Sequence, residues 1–304
     1  MTFRAALLAI VALTAAPALA KPTNIQVAIT VDDLPAHSAL PPGETRVGVA
    51  ARFIAALKDA RTGPVYGFIN GVQIEREPAS ADVLPMWRAA GHPLGNHTWS
   101  HLNLAQLDPA AFEAELVRNE ALLDKLAGGS DWRWLRYPFL SEGETPEKRA
   151  AVRNLLKARG YHIASVTLSF DDWAWNEPYA RCVAKGDDAA IAQLETSYMK
   201  AAEQSLAYSR DLSASLYGKD IPYVLLMHLG AFDARMAPRL LAYYQSQGVT
   251  FTPLETVERH PFYKADLDPT PTAAPTTLEN AARARGLPVG EHPWNVSALD
   301  AICR

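Results

Sequence analysis

The chain has 304 residues, of which 49% are hydrophobic and 20% are charged, and its formal net charge at pH 7 is -4. This length is enough for one large domain with a full apolar core. The mildly acidic balance argues against a nucleic-acid partner, which would require a basic surface.

The first twenty residues have the pattern of a signal peptide. Arg4 precedes an apolar run that reaches Pro17, and the segment ends in Ala18-Leu19-Ala20, a small-x-small cleavage pattern. The run is shorter than the roughly 20 residues that a membrane helix needs. We therefore predict a signal peptide over residues 1–20, a mature chain from Lys21 without a stable membrane span, and a periplasmic or secreted bacterial protein. The alternatives are an uncleaved anchor and a buried N-terminal helix.

Short apolar runs then alternate with longer helical patterns. Strands are predicted over Ile25–Val31, Val65–Ile69, Pro93–Gly95, Trp134–Tyr137, His162–Leu168, Tyr223–His228 and Val249–Phe251. Helices are predicted over Arg46–Asp59, Ala81–Ala90, Pro109–Ala127, Pro146–Arg159 and Ala234–Gln247. This alternation predicts an α/β fold with a parallel sheet, and seven such units indicate a closed or nearly closed barrel.

Two segments depart from the alternation. A helical pattern over residues 187–217 is longer than a crossover needs, and it fits either two helices or a lid. Residues 263–304 form a Pro/Thr-rich linker and a C-terminal tail. The two cysteines, Cys182 and Cys303, are expected to form a disulfide in an exported protein, with two free buried thiols as the alternative.

Chemically capable side chains cluster at the predicted strand ends. In a parallel barrel the carboxyl ends of the strands build the active site. The candidates there are Asp32, Asp33, His97, His101, Arg136 and His228.

The pair His97 and His101 has the spacing of two metal ligands. At i, i+4 both imidazoles can meet on one face of a helix or in a tight turn. Two histidines and one carboxylate are a usual set for a catalytic divalent ion with an open position. We therefore predict that Asp33, His97 and His101 bind a metal, with Asp32 beside it.

These motifs, in this order, resemble the polysaccharide deacetylase family, also called the NodB-homology domain or carbohydrate esterase family 4. "TVDDLP" resembles the family's TFDDG motif, "HTWSH" fits H-S/T-x-x-H, "RYPF" is similar to R-x-P-Y/F, and "LLMHL" to its closing Leu-x-His strand. The resemblance implies a distorted (β/α) barrel with seven strands, here over residues 21–262 with the long helical insert and the C-terminal tail added.

The resemblance also implies a role for each site residue. Asp32 would be the general base, oriented by Arg136, while Asp33, His97 and His101 would hold a divalent ion, usually Zn²⁺, with Co²⁺, Ni²⁺ or Mn²⁺ as alternatives. The backbone N–H of Phe139 would help bind the oxyanion, and His228 would be the general acid. The implied reaction removes N-acetyl groups from a glycan by means of a water that the metal activates.

Two departures from the family motifs affect these assignments. Leu34 replaces the usual Gly, and a backbone with positive φ there would resist Leu, so we expect this loop to follow another path. Ser169 stands where the family has the Asp that pairs with the catalytic histidine. Either Asp171 or Asp172 takes over that role, or His228 has a lower pKa; we favour a neighbouring acid and assign Asp172.

The expected substrate is an acetylated envelope glycan, such as peptidoglycan or a chitin-like polymer, with O-deacetylation as a variant. The rival hypothesis is an inactive glycan-binding or regulatory module on the same barrel, and its one supporting feature is Ser169. His37 fits either the mouth of the same site or a solvated loop, and we favour the solvated loop. Three tryptophans fit either sugar stacking or core packing: Trp99, Trp173 and Trp175. The oligomeric state is not specified by the sequence.

Overall fold

The computed structural model describes residues 24–270 and 274–304, so the predicted signal peptide lies outside the described residues. The strands are β1 Ile25–Leu34, β2 Tyr66–Ile69, β3 Leu94–Asn96, β4 Trp134–Leu135, β5 His162–Ile163, β6 Tyr223–His228 and β7 Val249–Phe251. The helices are α1 Arg46–Asp59, α2 Val72–Arg76, α3 Val83–Ala89, α4 Pro109–Leu126, α5 Pro146–Ala158, α6 Asn176–Lys185, α7 Asp188–Tyr217, α8 Ala231–Ser246, α9 Leu254–Val257 and α10 Leu278–Ala284.

The strands form one parallel sheet in the order β5-β4-β3-β2-β1-β6, and β7 pairs with the beginning of β1. β1 is the central strand and is buried along nearly its whole length, as its continuous apolar run predicts. Its register with β6 sets Asp32 opposite His228. The sheet therefore brings the first and last predicted site residues to the same edge.

One short segment joins the two sides of the curled sheet. After β5, the Ala164 N–H donates to the carbonyl of Leu135 in β4. Four residues later, Leu168 pairs in parallel with Leu225 in β6. The predicted strand His162–Leu168 is thus too long: its backbone changes partner from β4 to β6, and this change ends the regular ladder. The (β/α) barrel fold with seven strands is confirmed, in the distorted form that the resemblance implies.

Helices cover the outside of the sheet through apolar faces at helical spacing. In α1, Val49, Phe53 and Leu57 are buried at intervals of four residues, and the Thr45 side chain accepts a hydrogen bond from the Gly48 N–H at the N-terminus. The predicted bounds of α1 are confirmed. α8 begins three residues before its predicted start because the Asn176 side chain accepts from the Phe232 N–H there.

The long insert is a single helix rather than two. α7 has 30 residues, begins at an Asp187 N-cap and ends at Gly218 in the left-handed conformation. One face buries apolar and small residues against α6, α8 and α10. The helix is therefore a packed wall of the molecule and not a detached lid.

The C-terminal tail is tied to α6. The sulfur atoms of Cys182 and Cys303 are bonded, with their Cα atoms 5.2 Å apart, so the predicted disulfide is confirmed. Within the described ranges, none of the helices combines the length and apolar character needed to cross a bilayer.

Candidate active site

A cavity of about 370 Å³ opens at the carboxyl ends of the strands. It is lined by Asp32, Asp33, His37, His97, His101, Tyr137, Phe139, Leu140, Ser169, Asp171, Trp173, Leu226 and His228. The structure therefore gathers most of the predicted site residues around one space. Arg136 and Asp172 lie behind them.

Arg136 fixes the position of Asp32. Its Nη1 donates to both carboxylate oxygens of Asp32, at 3.1 and 3.2 Å. Its other donors are also used: Nη2 contacts the Thr30 hydroxyl and Nε contacts the Ala164 carbonyl. Arg136 is only 1% exposed, so a buried guanidinium with satisfied donors orients the acid, as the resemblance implies.

Asp33 occupies a strained turn at the end of β1. Its φ of 61° lies in the left-handed region, and a cis peptide bond follows between Leu34 and Pro35. The positive φ therefore falls one residue before the position where the family has Gly. Leu34 is fully buried and its side chain packs against Gly67, where a Cβ atom would clash with it. The expectation that this loop follows another path is confirmed.

Asp33, His97 and His101 form a cluster with metal-ligand geometry. The Oδ1 atom of Asp33 lies 3.4 Å from Nε2 of each histidine, and the three ligand atoms lie within 4.8 Å of one another. This Oδ1 is buried and has no hydrogen-bond partner among the residues that the structure describes. A buried unpaired carboxylate oxygen facing two imidazole nitrogens fits a divalent cation.

The protonation states of the cluster suit ligands. Nδ1 of His97 bonds to the Arg136 carbonyl at 2.7 Å, which leaves its Nε2 with a lone pair toward the cluster. Burial lowers the pKa of His101 to about 4. Burial alone would raise the pKa of Asp33, but the hydrogen bond and charge of His37 hold it below its ordinary value. Ligands must be neutral imidazoles and an ionised carboxylate.

His228 is held by Asp172, the acid assigned to it from the sequence. Its Nδ1 lies 2.9 Å from Oδ1 of Asp172, and its backbone N–H donates to Oδ2 at 2.6 Å. Burial alone would lower the pKa of His228, but the charge of Asp172 and its hydrogen bond, with Asp33 and Asp32 behind them, raise it to about 10. Asp171 makes a different contact, because its Oδ2 accepts from the indole N–H of Trp294.

A second buried acid lies behind Asp172. Asp233 accepts hydrogen bonds from the Tyr198 hydroxyl at 3.0 Å and the Asn176 amide at 2.7 Å. Burial and the charge of Asp172 raise the pKa of Asp233 well above its ordinary value. Asp172, which contacts both Nδ1 and the backbone N–H of His228, is the acid that partners this histidine.

The pH profile should report the Asp172–His228 pair. We expect Asp172→Asn to lower the pKa of His228, since the neighbouring negative charge is lost. A general acid must be protonated, so the alkaline limb of the activity profile should move to lower pH by about one unit or more. The measurement is kcat against pH for both proteins; coincident alkaline limbs would contradict this role for Asp172.

His37 lines the cavity, so the favoured interpretation of a solvated loop histidine was wrong and the alternative is the one observed. Its Nδ1 lies 3.0 Å from Oδ2 of Asp33, and its ring lies 4.9 Å from the ring of His228. The Arg46 guanidinium donates to the His37 carbonyl at 2.8 Å and fixes the backbone there. In the sequence His37 follows Asp33 by four residues. In the structure the turn between them brings the two side chains into contact.

We expect His37 to support metal binding through Asp33. An N–H donated to Oδ2 turns Oδ1 toward the two histidines, and loss of such an outer partner typically weakens metal affinity about 10–100-fold. His37→Ala should show this loss in a competition titration of Zn²⁺ against a chromophoric chelator. His37→Asn, whose amide nitrogen replaces Nδ1, should retain most of the affinity. Equal affinities for wild type and His37→Ala would refute the role.

Exposed apolar side chains form the rim of the cavity. Phe139, Leu140 and Trp173 are 64%, 44% and 46% exposed, which is unusual for such large apolar groups. Phe139 has a left-handed backbone with φ 57°, and its ring contacts His101. Of the three tryptophans considered from sequence, Trp173 alone lines the cavity: Trp175 is buried, and Trp99 packs over Gly71.

Comparison with known proteins gives a family match and several relatives. Residues 20–164 match the model of the polysaccharide deacetylase family. A chitin deacetylase from Pestalotiopsis sp is 28% identical over 106 residues, which cover 35% of this chain and 33% of that protein. A peptidoglycan-N-acetylglucosamine deacetylase from Bacillus cereus is 29% identical over 89 residues, 29% of this chain and 31% of that protein. The matched part therefore spans about a third of each relative.

The fold likeness extends further along the chain than the sequence match. The structure of the chitin deacetylase from the fungal pathogen Colletotrichum lindemuthianum aligns with a TM-score of 0.53 and 20% identity, covering 77% of this chain and 88% of that one. The match of residues 20–164 to the family model confirms the resemblance inferred from the motifs, and the structural alignment confirms the fold. The family match ends before Asp172 and His228, whose pairing is seen in the structure alone.

Proposed function

We propose that this chain, whose residues 20–164 match the model of the polysaccharide deacetylase family, is an exported, metal-dependent hydrolase that removes acetyl groups from a glycan. The observation that carries the proposal is the unpaired Oδ1 of Asp33, set between two imidazole nitrogens in a cavity that also holds an oriented acid and a charged histidine. The signal-peptide pattern of the first twenty residues supports export.

Asp33, His97 and His101 would hold the ion, with Zn²⁺ as our first choice. When bound, a divalent ion polarises the acetyl carbonyl and lowers the pKa of a water molecule. The donor set of one carboxylate and two imidazoles suits zinc, and cobalt, nickel and manganese are the alternatives.

Asp32 acts as the general base in this proposal. Its Oδ2 lies 3.6 Å from Nε2 of His97, so the carboxylate lies next to the proposed metal ligands but is not one of them. Arg136 restrains both oxygens, which fixes the direction from which a proton can be taken. Asp32 would remove the proton of the attacking water as the carbon–oxygen bond forms.

His228 acts as the general acid, and the Phe139 N–H as an oxyanion donor. An amine is a poor leaving group, so the nitrogen must be protonated as its bond to the acetyl carbon breaks. Asp172 binds Nδ1 of His228 and keeps the ring protonated at neutral pH. The other ring nitrogen, Nε2, is then the one that donates a proton to the leaving nitrogen. A backbone donor at the rim would stabilise the charge that develops on the carbonyl oxygen.

The cavity rim suits a sugar. Pyranose rings have flat apolar faces, and the exposed rings of Trp173 and Phe139 offer matching surfaces. We infer an N-acetylated envelope glycan, either peptidoglycan or a chitin-like polymer, and O-deacetylation is the variant that the same groups can perform. The rival hypothesis of an inactive glycan-binding module depended on Ser169. The contact between Asp172 and His228 favours the enzyme instead.

The test combines metal content with acetate release. Purified protein should contain about one divalent ion per chain. It should release acetate from at least one of three substrates: chito-oligosaccharides, acetylated peptidoglycan and acetylxylan. A chelator should abolish the release, and added Zn²⁺ or Co²⁺ should restore it. Metal-loaded protein that releases no acetate from any of them, yet binds a glycan, would establish the inactive module.

A further inference from the structure

The C-terminal tail, defined here as residues 291–304, lies outside the family match and is fastened to α6. Besides the disulfide, Arg181 Nη2 donates to the carbonyls of Asp300 and Ile302, at 2.9 and 3.1 Å. Leu299 is buried against the body of the molecule. The tail is therefore a fixed part of the structure and lies against α6.

The beginning of the tail reaches the wall of the cavity. The indole N–H of Trp294 donates to Oδ2 of Asp171 at 3.0 Å, and Asp171 lines the cavity. The Trp294 ring is itself held: it stacks on His292 at 4.4 Å and meets the edge of Tyr208 from α7. The tail and the long helix together fix one oxygen of this carboxylate.

Asp171 has no evident structural task. It precedes the 3-10 turn Asp172–Trp175 in a left-handed conformation, with φ 60°, but its side chain does not cap that turn. In the described part of the chain it forms no ion pair, and Asp172 already serves His228. A carboxylate accepts about four hydrogen bonds, and the indole N–H takes one of them. An acid held in the wall of a cavity that already contains Asp32 and Asp33 has acceptor capacity for a donor that enters.

The donor that fits is a sugar hydroxyl. The Asp171 carboxylate and the exposed ring of Trp173 line the same cavity, which therefore offers both a hydrogen-bond acceptor and an apolar ring face. Sugars present this combination of apolar ring faces and hydroxyl donors. Like charge disfavours an anionic group at the same position.

We propose that the disulfide-anchored tail completes a hydroxyl-binding subsite, in which Trp294 holds the Asp171 carboxylate to receive the sugar next to the one that is deacetylated. The inference deepens the proposed function and depends on it. Asp171 is the binding group, and Trp294 is a positioning residue that acts through it. The disulfide keeps Trp294 in place.

The test compares Trp294→Phe with a matched control, Trp132→Phe. The first removes the indole N–H that binds Asp171, and the second removes an indole N–H that donates to Asp124 outside the cavity. With Zn²⁺-loaded protein and N-acetylglucosamine oligomers of one to four rings, Trp294→Phe should raise KM about fivefold for two or more rings, leaving kcat and the single ring unaffected. Trp132→Phe should match wild type. Cys182→Ser/Cys303→Ser should resemble Trp294→Phe.

A double-mutant cycle separates positioning from a general structural effect. Asp171→Asn should also raise KM for the longer oligomers, and adding Trp294→Phe to it should cause no further rise, since Trp294 acts through the carboxylate. Equal KM values for wild type and Trp294→Phe at every length, or additive effects, would overturn the subsite. Loss of kcat alone would also overturn it.

Calorimetric binding of the same oligomers to Asp32→Asn protein distinguishes the two proposals. If wild type releases no acetate but binding tightens with length and weakens in the Trp294→Phe background, the proposed function fails and the subsite stands. If acetate release is normal and Trp294→Phe changes nothing, the subsite alone fails. If no oligomer binds at all, the subsite is overturned together with the choice of glycan.

Discussion

Replacing Asp32 with Asn is expected to lower turnover of an acetylated glycan by about 10²–10⁴-fold while the metal stays bound. The amide has the shape of the carboxylate but cannot take a proton. None of the three proposed metal ligands is changed, so metal content should remain near that of wild type. The measurements are acetate release under saturating substrate and metal stoichiometry on the same sample.

The Asp32→Asn variant also removes the charge partner of a buried guanidinium. Arg136 keeps its contacts with Thr30 and Ala164, but an uncompensated buried charge typically costs about 3–5 kcal/mol of the free energy of unfolding. Turnover should therefore be measured well below the unfolding temperature. Asp220→Asn is a matched control, because Asp220 pairs with Arg210 outside the cavity. Wild-type turnover in Asp32→Asn would exclude Asp32 as the base.

Replacing His228 with Asn is expected to have an effect that depends on the leaving group. The Asn amide can still donate to Oδ1 of Asp172, but it cannot supply a proton to a departing nitrogen. Hydrolysis of an acetamido sugar should fall by about 10²–10⁴-fold. Hydrolysis of 4-nitrophenyl acetate should fall less than about tenfold, because a phenolate leaves without being protonated.

The ratio of these two losses is the informative quantity. Both rates are measured on the same Zn²⁺-loaded protein, and so differences in folding or metal content cancel in the ratio. Equal losses for the amide and the aryl ester would mean that His228 has a different role, such as binding the carbonyl oxygen. Asp32→Asn serves as the comparison, since loss of the base should slow both substrates alike.

Much of the barrel was predictable because its strands are short apolar runs with clear ends. β6 and α1 have the predicted bounds, and the predicted site residues follow strand ends, where a parallel sheet must gather them. The prediction was less accurate for the strand after α5. Its residues have the composition of a strand, but the sequence does not show that the backbone changes partners within it.

Two features of the site depend on turn geometry that the sequence pattern does not express. His37 is brought back to Asp33 by the turn at Leu34-Pro35, and spacing alone does not show this. The choice between Asp171 and Asp172 follows from the left-handed backbone of Asp171, after which Asp172 is directed to His228 and Asp171 to Trp294. Adjacent residues of one type cannot be told apart by composition.

The segment between β5 and Leu168 contacts both the sheet and a residue of the candidate site. Its Ala164 carbonyl holds Nε of Arg136, and its Thr167 hydroxyl accepts from the Val224 N–H in β6. In the described residues its only β-bridge to β6 is the isolated one between Leu168 and Leu225. The segment is therefore a place where the structure can open locally while the rest stays native. Such an opening would remove the Ala164 contact that helps to hold Arg136 beside Asp32. We therefore expect heat inactivation of the proposed activity to precede the main unfolding transition.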